Sequence, residues 1–419
     1  MKVIWYNTGV QFFGKIISAA STLVATVLIA NQYGAEGFGQ FTQILSFVAF
    51  FYLFPDFGLN AVTLRSITEN EHEREKEFRL LYGLRIVLSL VTMFLAISLL
   101  TFFPYNSQTA VGFSPFVKVG IIFLSVTVLT QSLFRTMNVL FQEKLRYDFS
   151  VFSSILSNIV TLAGTYLVTR LNLSLLLVVA VNVLSSFILT FFSITFARRY
   201  VDTMHPLFDF PSWKRILRKA LPLGLTLILN VIYFRIDVFL LSFYRDAFEV
   251  GVYGLAYKFF EFPLTLPVFF MNAMYPIFLQ SYKEKKTEPF LKELKRASLL
   301  LFGISVIFLV AGYFLAPLIP WLTQNTEFVS SVSLFRILIL SLPVFFLTPV
   351  LMWAMITVSL EWQLILVYFV SALLNIALNL FLIPLFGATA AAVTTVVCES
   401  FTLFFSYLTL VHIFRSKKE

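Results

Sequence analysis

Ionisable side chains recur inside long apolar runs of this sequence, where a charge is costly unless it faces a wet cavity or a partner. The cations are Lys15, Arg65, Arg85, Arg235 and Lys258, and the carboxyls are Asp56, Asp237, Glu261 and Glu399. Cations in such places can hold a phosphate by charge-assisted hydrogen bonds. Carboxyls can neutralise them, exchange partners with them, or carry a proton. Nothing in the sequence suggests covalent catalysis. His72, His205 and His412 are scattered, so no metal site is expected. Gly14-Lys15 is followed by Ile16 and lacks the upstream glycine of a phosphate-binding loop, so no ATP site and no cofactor are expected. Transport would draw on an H+ or Na+ gradient, a membrane potential, or the gradient of the substrate.

Spacing groups these residues. At a rise of about 1.5 Å per residue, Arg235 and Asp237 lie roughly 12 and 9 Å below the end of one run. Lys258 and Glu261 lie roughly 10 and 15 Å below the start of the next. The four overlap in depth on one hairpin, and Lys258 and Glu261 share a helix face at i, i+3. They form either a structural ion-pair cluster or the lining of a cavity whose ion pairs rearrange. In the first half, Lys15 and Asp56 sit at matched depths near the opposite membrane face and are expected to pair. Arg85 and Arg135 stand near helix ends and are expected to snorkel to the interface, as are Lys118 and Arg336. Arg65 at a helix end fits either role. Glu399 falls mid-run with no nearby cation, opposite Asn375 and Asn379. It is either a proton-coupling group or a carboxyl hydrogen-bonded to asparagine as packing glue.

The elements that carry these residues follow from composition. Of 419 residues, 59% are hydrophobic and only 13% charged, with a mean hydropathy of +0.87. That balance excludes an ordinary soluble enzyme, a disordered chain and a nucleic-acid-binding domain. Twelve stretches reach the length of about 20 residues that a membrane-crossing helix needs. They cover 8–30, 40–62, 80–103, 116–139, 150–168, 175–197, 220–243, 251–276, 297–319, 334–356, 363–382 and 388–412. The net charge of +9 reports orientation: 22 Lys and Arg fall on one side of this topology and only Arg170 and Arg245 on the other. Both termini are therefore expected on the cytoplasmic side. The segment 69–77 (ENEHEREKE) is expected to be a solvated linker. Gly34, Gly37 and Gly39 permit a tight turn between the first two stretches. The single Cys398 leaves the redox compartment open.

The halves repeat. At an offset of 212, Gly39 falls on Gly251, Phe41 on Tyr253, Pro55 on Pro267, Asn60 on Asn272 and Ala61 on Ala273. Six spans per half make the repeats parallel, the kind of duplication transporters use. The expected fold is all-α and integral to the membrane: twelve helices in two six-helix lobes, 1–209 and 210–419. The loop carrying Pro206 and Pro211 is the natural hinge.

The stretches YGAEGFGQFTQILSFVAFFYLFPDFGLNAVTLRSI and FRIDVFLLSFYRDAFEVGVYGLAYKFFEFP resemble the two halves of the Wzx-type polysaccharide flippases, within the multidrug/oligosaccharidyl-lipid/polysaccharide exporter superfamily. The second carries the likeness at Arg235, Asp237, Gly251, Tyr253, Ala256 and Tyr257. The resemblance implies a MATE-like fold, alternating access, and a substrate of sugars joined through pyrophosphate to a polyprenyl lipid. It also implies a cationic cavity, for which Lys15, Arg65, Arg85, Arg235 and Lys258 are the candidates here. Asp56, Asp237 and Glu261 stand ready to neutralise several of them. The implied setting is the inner membrane during polysaccharide or O-antigen biosynthesis. Implied partners are the lipid-linked oligosaccharide, membrane lipids and polymerase or assembly proteins, with no nucleic acid. Moving such a head group through lipid would strip many hydrogen bonds, each worth several kcal/mol, whereas a polar cavity removes that barrier. A multidrug exporter of the same fold, a lipid II-type flippase and a membrane glycan polymerase are the alternatives. The longest outer loop, 14 residues, argues against the polymerase.

Overall fold

The computed structural model describes residues 2–69, 71–282 and 287–416. Of the cations expected to mark the inner face, Lys283, Lys285, Lys286, Lys417 and Lys418 lie outside these residues. The chain is helical almost throughout, as an apolar backbone without water must be. In order the helices are α1 (Lys2–Phe51), α2 (Leu53–Asp56), α3 (Leu59–Glu69), α4 (Arg74–Leu99), α5 (Pro115–Glu143), α6 (Tyr147–Arg170), α7 (Leu175–Ala197) and α8 (Phe210–Tyr244). They continue with α9 (Ala247–Glu261), α10 (Thr265–Ser281), α11 (Thr287–Leu315), α12 (Leu318–Thr323), α13 (Val329–Leu340), α14 (Leu342–Thr357) and α15 (Glu361–Ser416). The one strand pair among the described residues is a short hairpin, Tyr105–Asn106 with Val111–Gly112.

Nine helical stretches among the described residues are long and apolar enough to cross a membrane. Two of them, Gly9–Glu69 and Glu361–Phe414, each take in two expected segments. The joins are Gly34 (φ 67°) and Gly387 (φ 58°), where the chain turns through left-handed backbone that glycine adopts most readily. The seventh expected segment lies on α8.

The join at Gly387 is held from another helix. The Ala388 N–H donates to Oε1 of Glu249 at 2.6 Å, placing a carboxylate at a helix start. Arg245 donates to the carbonyls of Ile383 (3.1 Å) and Pro384 (3.0 Å), placing a cation at a helix end. At the equivalent place in the first half, neutral groups do similar work. Gln32 donates to Asn172 Oδ1 and Tyr33 to the Leu173 carbonyl, each at 2.8 Å. Gly387→Ala is expected to cost about 1–3 kcal/mol from the positive-φ backbone alone. Its Cβ would also displace the Glu249 carboxylate. Thermal unfolding in detergent checks this, with a lowered midpoint expected.

The chain divides into two compact units, residues 1–231 and 232–419. Sequence reasoning puts a lobe boundary at 209/210, whereas the division into compact units falls within α8. The cause is packing. Ile216 and Ala220 join a buried cluster with Leu59, Phe78, Leu81, Met137 and Phe141. Trp213 Nε1 donates to the Leu80 carbonyl at 3.0 Å, and Arg215 pairs with buried Glu77 at 2.8 Å. That pair also corrects the reading of 69–77 as a solvated linker. Its last residues begin α4, and Arg74 pairs with Glu143 at 2.8 Å.

Within the first unit, α1 packs along α6, and α5 lies against α4 and α7. Small polar residues cross-link these helices, as membrane bundles commonly arrange. Asn158 donates to Ser18 Oγ at 2.7 Å, and Thr130 donates to Ser186 at 2.9 Å. In the second unit, α14 packs against α10, α11 and α15, while α9 lies against α13 and α15. Buried Ala388, Ala390, Ala391 and Ala392 allow the helices to approach closely.

Candidate functional site

Each unit carries its own polar centre at a helix break. In the first unit the break runs through Pro55. α2 stops at Asp56, Phe57 (φ 34°) and Gly58 (φ 68°) take left-handed backbone, and α3 resumes at Leu59. The interruption frees the Pro55 carbonyl, which accepts from Arg85 Nε at 3.2 Å. Arg85, on α4, is fully buried. It also donates to Asp56 Oδ1 at 3.2 Å, to Thr136 Oγ1 at 3.4 Å and to the Ser132 carbonyl at 3.5 Å. The other oxygen of Asp56 accepts from Arg135 on α5. The Arg135 side chain is 45% exposed.

Three expectations are corrected here. Asp56 pairs with Arg85 and Arg135, not with Lys15, whose side chain is exposed on α1. Arg85 does not snorkel: its guanidinium is locked into the break from within. Arg135, which sequence reasoning set aside as an interfacial residue, belongs to the centre. Arg65 lies outside it, exposed and paired with Glu69 one turn on at 2.7 Å.

In the second unit, Glu261 ends α9 just before the turn that leads to Pro267 in α10. One of its oxygens accepts from Lys258 Nζ at 2.8 Å, the other from Arg235 Nη2 at 3.2 Å. All three side chains are about one-third exposed, between 30% and 37%. The centre thus matches the first in chemistry: two cations share one carboxylate, and one positive charge is left over.

Asp237 does not join that cluster, as the shared depth suggested it would. It is buried and turns the other way, accepting from the Tyr253 hydroxyl, from Thr395 Oγ1 at 3.3 Å and from the Val238 N–H at 2.7 Å. One turn back on α8, Tyr233 donates to Glu399 at 2.6 Å. Glu399 and Thr395 are one turn apart on α15, so α8 and α15 face each other across two polar rungs. Asn375 reaches the Tyr233 carbonyl at 3.5 Å, and Asn379 donates to Asn375 at 2.7 Å. The expected Glu399–asparagine bond is therefore replaced by a bond to Tyr233, with the asparagines behind the tyrosine's backbone. Thr402 extends the network to Ser371 at 2.8 Å. No ion pair to Asp237 or Glu399 occurs among the described residues; the groups that bond them are hydroxyls and, for Asp237, also the Val238 backbone N–H.

The sequence profile of the polysaccharide biosynthesis protein family matches residues 4–282, and the MatE profile matches residues 222–381. No curated protein matches the sequence. Among solved structures, the lipid II flippase MurJ in an inward closed conformation superimposes with a TM-score of 0.80 at 15% identity. That match covers 97% of this chain and 87% of MurJ. An inward-facing multidrug resistance MATE transporter of the MOP superfamily gives 0.75 at 13% identity, over 96% of both chains. A MOP superfamily transporter from Pyrococcus furiosus, described as having a binding pocket of reverse polarity, gives 0.66 at 12% identity. That match covers all of this chain and 96% of the other. The fold is thus that of multi-pass transporters and flippases, and the expected MATE-like class holds.

Proposed function

The chain belongs to the polysaccharide biosynthesis protein family, and we propose that within it the protein flips an oligosaccharide joined through pyrophosphate to a polyprenyl lipid across the inner membrane. The observation that carries this reading is the surplus cation in each unit. Arg85 and Arg135 converge on Asp56, while Arg235 and Lys258 converge on Glu261. A pyrophosphate offers several anionic oxygens to the exposed cations of either centre, Arg135 in the first unit or Arg235 and Lys258 in the second, and can take the place of the carboxylate that now occupies them. Charge-assisted bonds of this kind are roughly twice as strong as neutral ones. Lys15 and Arg65, both exposed, meet the head group or its sugar acids at the cytoplasmic side. Access alternates between the two faces, and both termini lie in the cytoplasm. Polymerase or assembly proteins receive the product.

Energy enters through the buried carboxyls of the second unit. Asp237 and Glu399 are buried and bonded by neutral groups, so a proton or a sodium ion is the fitting counter-charge. Glu399→Gln is expected to leave the protein folded, because glutamine still accepts from Tyr233. Transport driven by an imposed proton gradient should lose its pH dependence. An unchanged pH profile would remove Glu399 from coupling.

The match of the MatE profile favours multidrug export as the second reading, and binding separates the two. Native mass spectrometry should retain a polyprenyl-pyrophosphate oligosaccharide in preference to a lipophilic cation such as tetraphenylphosphonium. The reverse preference would favour the exporter.

A further inference from the structure

A groove of about 580 Å³ runs along the second unit between the early turns of α11, the first half of α14 and the last turns of α15. Its walls are almost wholly apolar, with Leu291, Leu351, Leu403 and Phe404 among them. Phe404 and Tyr407 are each 55% exposed, so the groove opens outward along the helices. At its mouth the rings of Phe290 and Phe414 lie 5.9 Å apart, where α11 begins and α15 ends. From Phe414 back to Ser400 the helix rises about 21 Å. Half of a bilayer's hydrocarbon core is roughly 15 Å. The groove therefore covers the depth of one leaflet, with its mouth at the membrane boundary.

Among the described residues, one charged side chain lines the groove near that mouth. Lys295 lines the groove one turn in from Leu291, long enough to lift its ammonium to the interface. Its neighbour Glu293 is held by Arg296 at 2.7 Å, and no ion pair to Lys295 occurs among the described residues. An apolar channel of leaflet depth beneath a free ammonium complements one kind of molecule: a hydrocarbon chain ending in a phosphate. We propose that this groove seats an acyl chain of an anionic phospholipid whose head-group phosphate pairs with Lys295. A zwitterionic lipid fits less well, because its own ammonium competes for the phosphate. The proposal stands apart from the transport reading, since it concerns a lipid held in place and not one that is moved.

Native mass spectrometry of the purified full chain, with phosphatidylglycerol and phosphatidylcholine of identical acyl chains, tests it. Wild type should retain phosphatidylglycerol several-fold better. Lys295→Gln should cut that retention about fivefold, the worth of one lysine near an anionic head group, and leave phosphatidylcholine unchanged. Leu403→Trp should displace both lipids by filling the groove. If Leu403→Trp fails to fold, Val411→Trp obstructs the same channel nearer its mouth. Equal retention of the two lipids, or no response to Lys295→Gln, overturns the proposal. So does a preference for a polyprenyl phosphate over phosphatidylglycerol, which would assign the groove to a carrier tail. A dimer that Leu403→Trp dissociates would assign it to a second copy of the chain and likewise overturn it.

Discussion

Replacing Arg235 and Lys258 together by Gln is expected to reduce export of the lipid-linked oligosaccharide by about a hundredfold or more, because each charge-assisted bond is worth about 1.5–3 kcal/mol. The protein should still reach the membrane in normal amount. Both side chains are about one-third exposed, and the partner they leave, Glu261, is 37% exposed and can be met by water. Each single substitution should fall between wild type and the double variant, since one cation remains to hold the phosphate. Glu261→Gln makes the complementary case. It removes the carboxylate that competes with the substrate, so binding should tighten while release slows. Export measured in cells alongside membrane abundance separates these effects. Undiminished export by the double variant would remove the pair from the binding site.

The second large effect concerns stability. Arg85→Ala is expected to destabilise the first unit by about 1–3 kcal/mol, the usual cost of leaving a buried acceptor unsatisfied, because the Pro55 carbonyl loses its donor while Asp56 keeps Arg135. The guanidinium has no solvent exposure and satisfies both the Asp56 carboxylate and the Pro55 carbonyl freed by the break. Arg85→Lys should recover little, because an ammonium lacks the planar fork that reaches α2 and α5 at once. Arg135→Ala should cost far less stability, since its side chain is 45% exposed. If the first centre holds phosphate, however, Arg135→Ala should impair transport. Thermal unfolding in detergent, set beside an export assay, distinguishes the positions. Equal stability losses at Arg85 and Arg135 would contradict the structural role given to Arg85.

The apolar runs made the helical membrane architecture legible, because length and hydropathy alone decide whether a segment can span. The joins at Gly34 and Gly387 differ in visibility. Gly34 stands in a glycine-rich turn, whereas Gly387 is a lone glycine three residues after Pro384. The grouping of Lys258 with Glu261 was readable from i, i+3 spacing, and Arg235 joined it through matched depth. Depth does not give direction around a helix axis, and that is where the reading failed. Lys15 and Asp56 were expected at one level, yet Asp56 turns to Arg85 and Arg135, and Asp237, expected level with Glu261, faces Tyr253 and Thr395. The partners of Asp56 come from α4 and α5, 29 and 79 residues away. Tyr233 escaped notice because a tyrosine in an aromatic-rich span carries no charge signal, although its hydroxyl is the group that meets Glu399. The division into compact units falls within α8 for a related reason. A proline-containing loop marks where a chain can bend, but the packing of Trp213, Ile216 and Ala220 decides which unit the next helix start joins.

The central claim is that this chain carries a pyrophosphate-linked sugar lipid through the membrane, and reconstitution tests it most directly. Vesicles would carry the purified protein and a labelled polyprenyl-pyrophosphate oligosaccharide loaded in the outer leaflet. An impermeant enzyme that trims the exposed sugar would then report the fraction left outside over time. The account predicts that protein-containing vesicles protect a growing fraction from trimming, and that Arg235→Gln with Lys258→Gln abolishes the protection. Protection no faster than in protein-free vesicles, under an imposed proton or sodium gradient of either sign, would contradict it.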